Sequence, residues 1–112
     1  MMFFKRKKQM VECKISVLFE IVSEDLKKGL CTDVIFMTNG KKHHFGTFGD
    51  SGNTYKNVLY FLDEFEYNSM EELKENAKLN GVPLGESRET ITVLECNGCY
   101  PDSTPQLAVF LK

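Results

Sequence analysis

The alternation of apolar and polar positions is clearest from Asp33 to Phe48, DVIFMTNGKKHHFGTF, where two runs of β-forming residues flank Asn39-Gly40. A type I′ turn needs positive φ at both central residues, and Asn and Gly tolerate it, so the segment predicts a β-hairpin with a two-residue loop. That loop length fixes the register. Val34 is expected opposite Phe45, Phe36 opposite His43 and Thr38 opposite Lys41, on the face that holds three apolar residues and should meet the core. Asp33 with Gly46, Ile35 with His44 and Met37 with Lys42 fall on the other face. The register therefore separates the chain's only histidines: His43 as a packing residue, His44 as the one directed to solvent or a ligand.

Upstream, residues 10–30 satisfy two periodicities. Val11, Ile15, Leu18, Phe19, Val22 and Leu26 form a stripe at helical spacing, and Gly29 follows Lys27 and Lys28 where a left-handed C-cap belongs. Cys13, Ile15, Val17, Phe19 and Ile21 also alternate as in a strand, after which Ser23 would cap a short helix over 24–28. The long helix is the favoured expectation because one element explains both the stripe and the Gly stop.

Downstream, GDSGN (49–53) reads as a turn-rich loop, and Tyr55–Leu62 as a third strand, apolar on both faces and so expected in the middle of the sheet. Asp63, Glu64 and Glu66 are expected to end it. Ser69 followed by Glu72 is a capping box, predicting a helix over Met70–Leu79 with Met70, Leu73 and Ala77 inward, stopped by Asn80-Gly81 and Pro83. Glu89–Cys96 is a fourth strand and Asn97-Gly98 a second Asn-Gly turn. Pro101 and Pro105 make the next stretch a loop, and Leu107–Leu111 is expected to be a closing strand. The sum is one α+β domain over 10–112, with a mostly antiparallel sheet of four to five strands and one or two helices packed on one face.

Charge changes this picture at the ends of the chain. The net charge is −2, but Lys5, Arg6, Lys7 and Lys8 contribute +4, so residues 1–9 read as a basic flexible arm and the rest carries −6. A near-neutral whole argues against nucleic acid or an anionic membrane as a partner. Twelve lysines against two arginines is the codon signature of an AT-rich genome, as in low-GC bacteria and their mobile elements. The apolar start is broken by Glu12, Lys14 and Glu20, which fits neither a signal peptide nor a membrane span, so a cytoplasmic protein with reduced thiols is expected.

Three constellations could carry chemistry. Cys96-Asn-Gly-Cys99 can chelate one metal through two thiolates or act as a redox pair. Zinc would need two further ligands, for which His43 and His44 are the obvious donors and Cys13 or Cys31 could serve. Since only one of the adjacent histidines can face the cysteines, the set assigned is Cys96, Cys99 and His44. A lone CxxC is a weak signal, so zinc stands as the alternative and no cofactor as the main expectation. The two histidines suit general-base or pH-switch chemistry, but no nucleophile can be paired with them from spacing, so no catalytic residue is assigned. The acidic run Asp63, Glu64, Glu66, Glu71, Glu72 and Glu75 is opposed only by Lys74 and lacks the spacing of a calcium loop. Asp63, Glu64, Glu66, Glu71 and Glu75 can instead dock a basic partner. The expectation is a small non-catalytic interaction or regulatory protein, acting through the acidic surface 63–75 or through a sheet edge, which could also support a homodimer.

Overall fold

Asn39 and Gly40 take φ of 51° and 75°, and the hairpin they close joins β2 (Asp33–Thr38) to β3 (Lys41–Phe48). The structure, a computed structural model, describes residues 10–49 and 58–110. The basic arm at 1–9, most of the 49–53 loop and the start of the expected third strand lie outside the described residues. The hairpin register is the one its turn dictates, with Val34 on Phe45, Phe36 on His43 and Thr38 on Lys41. Val34, Phe36 and Phe45 are fully buried and define the inner face of the sheet.

The sheet has six strands in the order β1-β8-β2-β3-β4-β5, every neighbour antiparallel. Its outer members are β1 (Val11–Lys14) and β5 (Phe65–Tyr67), with β4 (Leu59–Leu62) beside β5 and β8 (Thr90–Cys96) beside β1. The fold class is thus α+β with a mostly antiparallel sheet, one strand wider than expected.

The long helix from residue 10 is corrected. Val11 and Cys13 alternate inward on β1, paired with Val93 and Ile91 of β8. The chain turns at Ile15 into α1 (Ser16–Lys27), which buries Val17, Leu18, Ile21 and Val22. Each periodicity governs part of the segment, four residues as strand and twelve as helix, because ladder bonds to β8 outweigh the helical preference of the first residues. The expected stop is real: Gly29, at φ 76°, donates to the Leu26 carbonyl, and Leu30 donates to that of Asp25, the paired bonds of a Schellman cap.

The second helix is also shorter than expected. α2 (Met70–Asn76) is capped as its sequence says, the Glu72 N–H donating to Ser69 Oγ at 3.1 Å. It ends at Ala77 because Asn80 and Gly81, at φ 53° and 83°, do not terminate a helix here. They turn a second small hairpin between β6 (Lys78–Leu79) and β7 (Val82–Pro83), a third use of Asn-Gly in this chain. The closing strand at 107–111 is corrected as well: Pro105, whose ring presets a helical φ, opens the short helix α3 (Pro105–Ala108), which buries Leu107.

All the helices contribute to one core on the inner face, where Leu18, Ile21, Val22, Leu73 and Leu107 meet Phe36, Phe45, Leu62, Ile91 and Val93. Each such side chain contributes roughly 1.5–3 kcal/mol by leaving water. The outer face is open among the described residues: Ile35, Met37 and Phe61 are half-buried there and His44 and Phe48 exposed. This corrects the expectation for β4, whose apolar residues on both faces reflect that uncovered outer side rather than a central position.

Candidate functional site

Asp63 organises the region where the acidic run meets the histidines. Asp63 and Glu64 form the two-residue turn between β4 and β5, and Asp63 stands at φ 57°. Its N–H donates to the His44 carbonyl at 2.7 Å, its Oδ1 accepts from the His44 N–H at 2.9 Å, and its Oδ2 meets His43 Nδ1 at 2.9 Å. Asp63 therefore extends the β3–β4 ladder by one step and is committed to it. The strand ends at Leu62 as expected, and Asp63 and Glu64 then turn the chain back into β5, which holds Glu66.

His43 is a packing residue, its ring stacked on Phe36 with centroids 5.3 Å apart, and its Nε2 is buried without a partner. His44 lies on the outer face, with Nε2 on the Asp33 carboxylate and its ring edge-on to Phe61 at 4.9 Å. Each histidine thus has a carboxylate, but on opposite sides of the sheet.

The cysteine pair does not meet them. Cys96 and Cys99 bracket the Asn97-Gly98 turn, exchanging backbone hydrogen bonds, but Cys96 is buried on the inner face beside Val34 while Cys99 is exposed. Burial pushes the Cys96 thiol up, against a hydrogen bond with Thr104 that lowers it. His44 points the other way, so Cys96, Cys99 and His44 do not converge. Among the described residues no three His, Cys, Asp or Glu side chains group as a metal site.

The acidic run divides in two. Glu66 pairs with Phe61 across β5 and β4, which places it on the outer face. There Asp63, Glu64 and Glu66 line an open groove of about 270 Å³ together with Phe48 and Phe61, whose rings lie 6.0 Å apart at 47°. Among the described residues neither Glu64 nor Glu66 has an ion-pair partner. Glu71 and Glu75 sit on α2 instead, and Glu71 approaches Tyr60, whose hydroxyl is pushed up by burial first and by the Glu71 charge second. Tyr60 pairs with Thr47 and Tyr67 on the inner side, so Glu71 belongs to a different surface from Glu66.

Phe48 and Phe61 were not signalled as site residues by the sequence. Their signal was the two-residue period: positions 44, 46 and 48 share a face, and Gly46 is the partner of Phe61. The one groove residue that the acidic run and the alternation share is Glu66. No protein-family model, curated protein or solved structure matches the chain. No helix among the described residues is long and apolar enough to cross a membrane.

Proposed function

We propose that this is a binding protein that takes an extended, basic segment of a partner protein along the β5 edge of its sheet. One observation carries the reading: the edge strand β5 bears Glu66, and the groove beside it gathers Glu64 and Glu66, free of ion pairs among the described residues, with Phe48 and Phe61 on a face that none of the described residues covers. The sheet edge and the acidic surface thereby become one site. An edge strand offers a row of unpaired N–H and C=O groups to an added strand, and alternate side chains of the guest then meet the two faces. On the inner side of that edge Phe65 is 61% exposed, an apolar contact for the neighbouring guest residues.

Glu71 and Glu75 play no part in this site, so the acidic surface used is narrower than 63–75. The test is capture of partners from lysate by the immobilised chain, with bound proteins identified by cross-linking and mass spectrometry. Glu64→Lys with Glu66→Lys is expected to remove the captured basic partners while the circular dichroism spectrum stays native. Partners retained by that double variant would refute the reading.

A further inference from the structure

We propose that the groove on the outer face is an arginine subsite: it takes the guanidinium of one arginine carried by the extended guest segment, laid on Phe48 and Phe61 and held by Glu64 and Glu66. This rests on β5 being the edge at which the segment docks, and it adds what the site selects. At about 270 Å³ the groove is smaller than the ~300–1,000 Å³ of small-molecule sites, and it is open, which suits one side chain of a larger partner rather than a free ligand.

The lining sets the chemistry of that side chain. Phe48 is 40% exposed and its ring lies 6.0 Å from that of Phe61, giving an aromatic floor that a cation can cover. Asp63 is already bound to His43 and His44, which leaves Glu64 and Glu66 as the charges to be met. A guanidinium is planar and weakly hydrated, stacks on aromatic faces and meets carboxylates through a fork of N–H donors. A lysine ammonium is strongly hydrated and gains less from the aromatic floor. Lys42, on the same face beyond His44, is the nearest opposing charge along β3 and does not line the groove.

Position follows from register. On a strand added to β5, the residue opposite Glu66 points to the outer face, within reach of the groove for a long side chain. Its two neighbours point inward, beside Phe65. The segment that fits is therefore an arginine between two apolar residues.

The test uses the intact chain and three blocked peptides, Gly-Ser-Val-Arg-Val-Ser-Gly and its lysine and citrulline counterparts, followed by ¹H–¹⁵N NMR titration. The arginine peptide is expected to shift the amides of Phe48, Phe61, Glu64 and Glu66. It should bind about two- to fivefold more tightly than the lysine peptide, the size of an exposed cation–aromatic contact. Citrulline, which keeps the shape without the charge, should not bind measurably. Phe48→Leu should erase the arginine preference and leave lysine binding unchanged. Equal binding of arginine and lysine peptides, lost in Glu64→Gln with Glu66→Gln, would overturn the arginine subsite while leaving the acidic edge as a binding site. Absence of shifts up to millimolar peptide would overturn both. Self-association in sedimentation experiments, abolished by the same glutamine variants, would make a second copy the occupant and overturn the proposal.

Discussion

At Gly46 the absence of a side chain is required by a neighbour. A Cβ built there would lie 2.0 Å from the Thr32 carbonyl oxygen, which is itself fixed by the Thr47 N–H at 2.9 Å. That oxygen is backbone and cannot swing aside. Gly46→Ala is expected to cost about 3 kcal/mol or to prevent folding, at the upper end of overpacking effects. Gly49→Ala, which would meet nothing within 4 Å among the described residues, is the control and should change stability by less than about 1 kcal/mol. Urea unfolding of the two variants checks the contrast. The thiols give a second residue-scale expectation. Burial pushes Cys13 from 9.0 up to about 11, and Cys96 moves the same way. Above pH 9 the unfolded Cys13 thiol ionises while the folded one keeps its proton, so this stability is fully present below pH 9 and is lost as pH rises toward 11. The urea midpoint should fall over that window, and Cys13→Ala should flatten the fall. At neutral pH a thiol reagent should modify Cys31 and Cys99 in the native protein, with Cys13 and Cys96 reacting only after unfolding.

Among the elements, those set by local chemistry were legible in the sequence and those set by partners were not. The Asn39-Gly40 hairpin and the Ser69 cap follow from residues within a few positions of each other, and both appear in the expected register. The strand Val11–Lys14 was legible only as the less favoured of two periodicities, because the ladder partner that decides between them lies at the far end of the chain in Thr90–Cys96. The β5 strand was hidden for a different reason. Three residues carry too short an alternation to register, and its turn is made by Asp63 and Glu64 rather than by Asn-Gly. The candidate site inherits the same limit: Glu64 and Glu66 were legible as charges, but Phe48 and Phe61 join them only through the β3–β4–β5 register. Asp63 is the hinge of that arrangement and can be tested. Asp63→Ala removes two side-chain hydrogen bonds and puts a β-carbon residue without a polar side chain at φ 57°, and should cost about 2 kcal/mol. Asp63→Asn keeps an acceptor and tolerates the left-handed region, so it should cost about half as much. Amide exchange of the β4 and β5 strands should quicken in the first variant more than in the second.

Over the whole molecule the two sides of the sheet are covered differently among the described residues. The helices close the inner side around the core, while the outer side keeps its aromatic residues, flanked by Asp33, Asp63, Glu64 and Glu66. A net charge of −2 understates this, because the carboxylates of α2 and those of the groove occupy different surfaces. Bulk attraction and local docking can therefore be separated. If a basic partner were drawn only by overall charge, neutralising any two carboxylates would weaken binding equally. If it docks at the β5 edge, position decides. Glu71→Gln with Glu75→Gln is expected to leave the affinity for an arginine-bearing segment within about twofold, since these carboxylates stand on α2 and not in the groove, and exposed charges that make no direct contact are weakened by screening at physiological salt. Glu64→Gln with Glu66→Gln should remove most of it. Raising salt from 0.15 M to 1 M, where the screening length falls to ~3 Å, should reduce the association rate of the native protein more than its residual aromatic contact. Association kinetics by surface plasmon resonance would separate the cases, and equal losses from both pairs of substitutions would return the acidic run to a single diffuse surface.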